Sequence, residues 1–233
     1  MLLRRADVLD GAMALLDAVG LDRLTTRRLG ASLNLQGTAL YRHFASKEAL
    51  LDAMADRLLA GVGSPLPDGT WEDQLVILAN RMHRALLSHR DGARVVAGTY
   101  VAGPNTHLIE DAIFDILERS GLSPERAGWV GFALSHYVLG HTIEEQAQVL
   151  LAAAGTWAAK LQTITAEITD GFARTAVAAT FAADPEERFQ FGLRVFLDGI
   201  RQQIPAETSR AQRAKRPAQA SSDDATAAAR AQQ

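Results

Sequence analysis

The residues best suited to chemistry lie in one polar stretch near the N-terminus, residues 24–44. Thr25 is placed to cap a short helix with an apolar inner side. Asn34 tolerates the left-handed backbone conformation that a sharp break between two helices needs. A second short helix is then expected from about residue 36 to residue 43. The stretch therefore predicts two helices joined by a tight turn, a helix-turn-helix.

The second of these helices is expected to turn polar side chains outward, where they could meet base edges in a major groove. Its outward residues are Gln36, Thr38 and Arg42. Tyr41, His43 and Lys47 can reach backbone phosphates, contacts that position a protein without reading sequence. An ordinary helical hairpin with a solvated polar face fits the same spacing, so the spacing alone leaves both interpretations open.

Apolar residues recur at steps of three and four along most of the chain, the pattern of amphipathic helices. Gly20 is placed to end the first helix, and Thr70 to cap a later one. Residues 125–153 are apolar around most of the circumference, which predicts a long helix buried in this chain or against a second subunit. Residues 152–183 are expected to be partly helical, and a strong last helix follows Pro185. No alternating run of strand type stands out, so we predict an all-α fold.

The amino-acid composition excludes several classes of protein. The chain has 233 residues, of which 48% are hydrophobic and 22% charged, enough for a buried core. It has no cysteine, which excludes a disulfide framework, thiolate catalysis and cysteine-ligated metal sites. No apolar run approaches the roughly 18 residues of a membrane span, and the start, MLLRRADVLDG, lacks the apolar stretch of a signal peptide. These features predict a soluble, cytoplasmic protein with no membrane partner.

Charge is unevenly distributed around a net value of −3. Residues 1–50 hold seven basic against five acidic side chains, and residues 201–233 hold six against three. The intervening residues 51–200 hold eleven against nineteen. A basic end on an acidic body fits a segment that binds a polyanion, joined to a part with another role.

Motifs of catalysis are missing from the sequence. It contains no Gly-x-Ser-x-Gly, no glycine-rich phosphate loop and no His-Glu-x-x-His. Glu144 and Glu145 are adjacent and point about 100° apart on a helix, so they cannot work as an acid/base pair. His136, His141 and Glu144 share one helix, on which metal ligands converge poorly. We therefore expect neither an enzyme nor a bound metal or cofactor.

Several short segments carry a resemblance to a known family. Residues 24–29 (LTTRRL), 39–44 (ALYRHF) and 47–53 (KEALLDA) resemble the DNA-binding signature of the TetR family of bacterial transcriptional repressors. Residues 85–99 and 131–146 are similar to the regulatory domain of the tetracycline-repressor-like subgroup.

This resemblance, which covers roughly residues 4–200, implies a homodimer that binds a palindromic operator in double-stranded DNA and leaves it when a small-molecule inducer binds. The positions that match base-contacting residues of the family are Arg27, Gly37, Thr38 and Ala39. Those that match phosphate-contacting residues are Thr26, Tyr41, His43 and Lys47. An arginine bidentate to guanine could supply about 1–3 kcal/mol of discrimination, whereas Gly37 offers no side chain. The operator is therefore expected to differ from the tetracycline one.

The implied ligand pocket departs from that of tetracycline repressors. Those proteins hold a drug-bound magnesium ion with a histidine and a glutamate; Val96 stands at the histidine position here, and Glu144 keeps the glutamate position. The polar residues that hold the drug align with Leu78 and Met82. The predicted ligand-binding residues are Leu78, Met82, Val96, Thr99, Tyr100, Ile113, His136 and Glu144. They predict an apolar, aromatic or polyketide-like ligand, oriented by a few polar groups.

The resemblance also implies how the chain is divided. Residues 1–46 are expected to form a three-helix DNA-binding domain, and residues 47–204 a helical domain for ligand binding and dimerisation. Residues 205–233 contain almost nothing apolar and are expected to be a disordered tail. A helix-turn-helix regulator that activates transcription, or that responds to a protein partner, is the alternative function.

Overall fold

The computed structural model describes residues 4–35, 40–100 and 102–204. Within these ranges the chain forms ten α-helices and no strand, which confirms the all-α prediction. The helices are α1 (Arg5–Val19), α2 (Thr26–Ser32), α3 (Lys47–Leu58), α4 (Trp71–Leu87), α5 (Gly92–Ala97), α6 (Pro104–Arg119), α7 (Pro124–Ala153), α8 (Trp157–Ala166), α9 (Gly171–Ala182) and α10 (Pro185–Arg201). The predicted tail, residues 205–233, and residues 36–39 of the predicted second helix lie outside the described residues. Among the described helices, none combines the length and apolar character that a bilayer span requires.

The first two helices and the 3₁₀ turns that follow them (Leu21–Arg23 and Leu40–Arg42) form a unit that we call the head. Gly20 ends α1 with a φ of 79°, and Asn34 turns the chain after α2 with a φ of 54°. The Thr25 hydroxyl caps α2 by accepting a hydrogen bond of 3.2 Å from a backbone N–H of the first turn. These observations confirm the predicted caps and turn of the head.

Helix α7 is the central helix of the remaining chain and packs against α4, α5, α6 and α10. It has 30 residues and begins after Ser123, whose hydroxyl caps it. Its buried residues lie on one side, whereas Trp129 and Phe132 are 66% and 61% exposed. The predicted long helix is therefore present, but within one chain part of its apolar surface stays uncovered.

The C-terminal helices differ strongly in how they pack. Helices α8 and α9, within the segment expected to be partly helical, bury no residue and meet through the rings of Trp157 and Phe181, 5.2 Å apart. Helix α10 instead buries Phe189, Leu193 and Leu197 and packs against α7. The core of the larger part of the chain is thus made by α4, α6, α7 and α10, with α5 and α3 closing the side toward the head.

Candidate functional site

A cavity of about 440 Å³ lies between the end of α3 and helices α4, α5, α6 and α7. Its lining comprises Leu59, Met82, Val96, Ala97, Thr99, Tyr100, Thr106, Ile109, Glu110, Ile113, Phe114, Gly128, Gly131, Phe132, Ser135, His136 and Leu139. The volume is in the range of small-molecule sites, and the walls are mainly apolar with a few polar side chains among them. This arrangement suits an apolar ligand held in orientation by a few hydrogen bonds.

Six of the eight sequence-predicted ligand residues lie around this cavity: Met82, Val96, Thr99, Tyr100, Ile113 and His136. The other two do not line it. Leu78 lies one turn before Met82 on α4 and is 2% exposed within the core. Glu144 lies beyond the last α7 residue of the lining and is exposed to solvent. The Glu144 carboxylate is therefore not available to a ligand in the cavity.

Some polar groups of the cavity have hydrogen-bond partners within the protein, and one does not. The Thr99 hydroxyl donates to the Val96 carbonyl at 3.0 Å, and His136 Nδ1 lies 2.8 Å from the Phe132 carbonyl oxygen. The Thr106 hydroxyl is buried and makes no hydrogen bond with the described part of the chain. A buried hydroxyl without a partner is costly, so Thr106 is well suited to bond a ligand. Thr106 cannot be recognised from the sequence, because a single threonine on a helix carries no distinguishing pattern.

Helix α5 touches the cavity with one side and the head with the other. Val96 and Ala97 line the cavity. From the same helix, Arg94 donates two hydrogen bonds to the Asp22 carboxylate in the head, from Nη2 at 2.8 Å and from Nη1 at 3.3 Å. These bonds and the guanidinium charge lower the pKa of Asp22 below its ordinary value. This pair could not be predicted from the sequence, since the two residues are 72 positions apart.

Asp91, at the start of α5, makes a second contact with the head. Its backbone is left-handed, with a φ of 58°, and the residue is 4% exposed. Its carboxylate accepts hydrogen bonds from the Leu21 backbone N–H at 2.8 Å and from Arg94 Nη1 at 3.1 Å. Gln146 of α7 supports the same turn, because its amide nitrogen donates to the Leu86 and His89 carbonyls. The α4–α5 turn is therefore held by α7 on one side and by the head on the other.

The predicted DNA-contacting residues fall into three groups. Arg27, Tyr41 and Lys47 are exposed, while Thr26 and His43 are half-buried. Arg27 and Lys47 form no ion pair with any other described residue. The remaining predicted residues, Gln36, Gly37, Thr38 and Ala39, lie outside the described residues. The described face therefore offers Arg27 on α2 and Lys47 at the start of α3 for contact with a polyanion, and the outward residue Arg42 is exposed as well.

A second polar cluster lies between α4 and α7, next to two of the predicted residues but not among them. His136, His141 and Glu144, considered together from the sequence, do not form one group. The structure instead joins His141 with Glu145 on α7 and His83 on α4. Their potential ligand atoms all lie within 4.8 Å of one another.

A helical head with capped, tightly turned helices, joined to a helical body with a partly open cavity of small-molecule size, fits the class of helix-turn-helix regulators with a ligand-binding domain. Residues 8–54 match the family model described as "Bacterial regulatory proteins, tetR family". Residues 64–204 match the model "Tetracyclin repressor-like, C-terminal domain". The chain belongs to the tetR family, as its sequence motifs suggested, and this is a family of transcriptional regulators rather than enzymes.

Individual relatives agree with this assignment. The chain is 34% identical over 211 residues to the tetracycline repressor protein class C of Escherichia coli, covering 85% of this chain and 90% of that protein. It is similar to the structure of ActR from Streptomyces coelicolor in complex with actinorhodin, with a TM-score of 0.76, 28% identity, and coverage of 87% and 99% of the two chains. It is also similar to BioQ with its natural double-stranded DNA operator, with a TM-score of 0.65, 28% identity, and coverage of 85% and 98%.

Proposed function

We propose that the protein is a ligand-responsive repressor, which binds a palindromic operator as a homodimer and releases it when a small molecule occupies the cavity. The observation that carries the proposal is the double contact of α5. Val96 and Ala97 of this helix line the cavity, while Arg94 bonds to Asp22 in the head. A ligand that displaces α5 therefore acts on the head through direct hydrogen bonds.

The mechanism requires two states that differ in ligand affinity and in head position. In the DNA-bound state, α5 keeps the head in place through Asp22 and Asp91. A ligand that fills the cavity presses on Val96 and shifts this short helix relative to the central helix α7. Because the ligand favours the shifted state, the two heads of the dimer no longer match the operator half-sites and the DNA is released.

The ligand we propose is apolar, aromatic or polyketide-like. Val96, where tetracycline repressors have a metal-binding histidine, is 8% exposed and offers no lone pair. Glu144 faces solvent rather than the cavity. The lining is mainly apolar, and Thr106 provides an unpartnered hydroxyl to orient the ligand. ActR, which binds actinorhodin, supports a ligand other than tetracycline in this fold.

The homodimer is proposed to form through α7 and α10. Trp129 on α7 and Val195 on α10 line one apolar groove and are 66% and 57% exposed. Phe191, one turn before Val195, is 64% exposed. Apolar surface of this kind on adjacent helices favours burial against an identical surface related by a two-fold axis.

DNA is proposed to be bound by the domain of residues 1–46 and by Lys47 directly after it, with the rest of residues 47–204 responding to the ligand. Arg27 and Lys47 are exposed cations at the described part of the DNA-binding surface. We place Arg27 on a base edge and Lys47 on a phosphate, and the structure of BioQ with its operator supports DNA as the partner. The proposed Gln36, Gly37, Thr38 and Ala39 contacts complete this surface.

A mobility-shift titration with DNA from upstream of the protein's own gene tests the proposal at a stated salt concentration. We expect a discrete complex that resists competitor DNA. Small molecules extracted from the denatured protein and identified by mass spectrometry are then added back, and should dissociate the complex. Tight, magnesium-dependent tetracycline binding would contradict the proposed ligand class. Binding to operator DNA that no extracted molecule affects would favour an activator or a protein-controlled regulator.

A further inference from the structure

Two histidines and a glutamate converge in the core of the larger domain, between α4, α7 and α10. His83 Nε2 lies 2.7 Å from Glu145 Oε2, and His141 Nε2 lies 4.0 Å from the same oxygen. His141 and Glu145 are four residues apart on α7, so they share one face of that helix. His83 faces them from α4 and is 1% exposed.

The surroundings of His83 leave half of its ring without a partner. Its ring stacks on Phe189 of α10, with centroids 4.1 Å apart and planes at 17°. Nε2 is occupied by Glu145, but the buried Nδ1 forms no hydrogen bond with the described residues. Glu186 Oε2 lies 3.6 Å from Nδ1, just beyond hydrogen-bond distance. A buried imidazole with one unsatisfied nitrogen calls for a further ligand or proton.

We propose that His83, His141 and Glu145 bind a divalent transition-metal ion of the Zn²⁺ type, through His83 Nε2, His141 Nε2 and Glu145 Oε2. Two imidazole nitrogens and one carboxylate are a common donor set for such ions, and a water molecule completes four-coordination. Ligand distances of about 2.0–2.2 Å place donor atoms roughly 3.3 Å apart in a tetrahedron. The observed donor atoms, within 4.8 Å of one another, reach this geometry by small side-chain movements.

Metal binding at Nε2 would also fix which nitrogen of His83 carries the proton. A metal on His83 Nε2 fixes the proton on Nδ1, which then points at the Glu186 carboxylate. A carboxylate that accepts from a metal-bound histidine is the usual outer partner in such sites. His141 must exchange its present contact with the Pro185 carbonyl, 3.1 Å from Nε2, for the metal.

The local charge also favours a cation. Glu145 and Glu186 bring two carboxylates to the cluster, and Arg188 on α10 is a cation close enough to act on His141. The Arg188 guanidinium is directed elsewhere, donating to Gln148 Oε1 at 2.9 Å and to the Thr180 carbonyl at 2.8 Å. A divalent ion between neutral imidazoles would therefore balance the two carboxylates.

The site is separate from the ligand cavity but is built on the same helices. Met82 of the cavity wall and His83 of the cluster are neighbours on α4, and α7 carries lining residues before His141. A bound ion would join α4 to α7 and fix the distance between two cavity walls. The proposal does not depend on operator binding, because it rests on the donor atoms alone.

The test uses the untagged full-length protein, freed of metal with a chelator and titrated with Zn²⁺ against a chromophoric competitor. We expect one ion per chain, and visible absorption bands of a four- or five-coordinate complex when Co²⁺ replaces Zn²⁺. His141→Gln and Glu145→Gln should each weaken Zn²⁺ binding at least tenfold. His107→Gln is the control, since it removes an exposed histidine of α6 that belongs neither to the cluster nor to the cavity lining, and it should leave the affinity unchanged.

Circular dichroism of each variant comes first, because a change in the core could unfold the chain. If His141→Gln fails to fold, Glu145→Asp replaces it. This variant keeps the charge but withdraws the carboxylate oxygen, and should also weaken Zn²⁺ binding about tenfold or more. Glu186→Gln should weaken it only severalfold, as the loss of an outer partner. The proposal would be overturned if the folded His141→Gln or Glu145→Asp variant bound Zn²⁺ as tightly as the wild type. It would also be overturned if the wild type bound no Zn²⁺. The cluster would then be a hydrogen-bonded His83–Glu145 pair alone.

Discussion

Arg94 and Asp22 form a two-bond ion pair that joins the cavity helix α5 to the head, with Nη2–Oδ1 and Nη1–Oδ2 distances of 2.8 and 3.3 Å. The side chain of Asp22 is 79% exposed, so water screens the pair and its effect on folding stability is small. Its geometry matters more, because a forked guanidinium on a carboxylate fixes both distance and orientation. The pair is thus suited to transmit a shift of α5 to the head.

We predict that Asp22→Asn weakens the ligand response more than it weakens operator binding without ligand, because the Asp91 contact still holds the head. Removing the charge loosens the contact through which α5 moves the head, so release should need severalfold more of the co-purified molecule. Dose–response curves of operator release measure this. Asp10→Asn breaks an equally exposed pair with Arg57, at 3.2 Å between α1 and α3, and should leave the curve unchanged. If the Asp22→Asn curve matched those of the wild type and of Asp10→Asn, the Arg94–Asp22 pair would not be the coupling contact.

The same pair sets an expectation for pH. Because Arg94 lowers the pKa of Asp22 below its ordinary 3.8, the carboxylate is charged in folded and unfolded chains above that value. The contribution of the pair is therefore fully present at neutral pH and is lost only as the pH falls through the lowered pKa. The difference between wild type and Asp22→Asn should accordingly stay constant from about pH 6 to pH 8, as dose–response curves across that interval will show.

Thr106 provides a test of the cavity. Thr106→Val keeps the shape of the side chain but removes the buried hydroxyl that no described residue satisfies. We expect folding stability, measured by urea denaturation, to rise by up to about 1 kcal/mol, since an unpaired polar group is lost. Affinity for the co-purified ligand should fall by about 0.5–1.5 kcal/mol, the net value of one hydrogen bond. A loss of stability together with unchanged ligand affinity would contradict this role.

The sequence predicted those features that depend on neighbouring residues. Caps such as Thr25 and Thr70, and the left-handed turn at Asn34, involve atoms within about four positions and can be recognised from residue type alone. The contacts that matter for coupling join distant residues. Asp22 meets Arg94 across 72 positions, and a single arginine in a helix gives no sign of its partner.

The cluster of His83, His141 and Glu145 could not be predicted from spacing along one helix, because its residues come from two helices. His141 could be paired with other α7 residues by spacing, but its buried companion His83 lies on α4. His83 and Glu145 are 62 residues apart, and only the crossing of α4 and α7 brings them together. Helical periodicity predicts which face is apolar, whereas the packing of one helix against another decides which residues of two faces meet.

Arg27 should contribute to sequence recognition. It is exposed on α2 and has no ion-pair partner among the described residues, so Arg27→Ala should not disturb folding. We expect operator affinity to fall by about 1–3 kcal/mol, with relaxed preference at one base position. Mobility shifts on operator variants measure both effects. Arg84→Ala, which removes the same charge from the exposed face of α4, is the control and should leave affinity and preference unchanged. A parallel loss in both variants would indicate a general effect of charge.

Lys47 should act on DNA of any sequence. It lies exposed at the first position of α3, and as a phosphate contact it neutralises one charge in each subunit. Lys47→Ala should therefore weaken binding to operator and unrelated DNA alike, and reduce the slope of log K against log salt by about 0.9 per contact. Titrations at several salt concentrations give this slope. Lys160→Ala, an exposed lysine on α8, should leave it unaltered. A sequence-selective loss would move Lys47 from phosphate to base contact.

Phe191 tests the proposed dimer surface on α7 and α10. The side chain is 64% exposed on α10, one turn before Val195 of the apolar groove, so a charge is tolerated in the single chain but not against a second subunit. We expect Phe191→Asp to shift the protein toward monomer in sedimentation velocity and to abolish tight binding to a palindromic operator. Phe172→Asp is the matched control, because Phe172 is 85% exposed and lies on α9 rather than on α7 or α10. A dimeric Phe191→Asp variant with normal operator binding would place the subunit contact on another face, and a monomeric Phe172→Asp variant would assign it to α9.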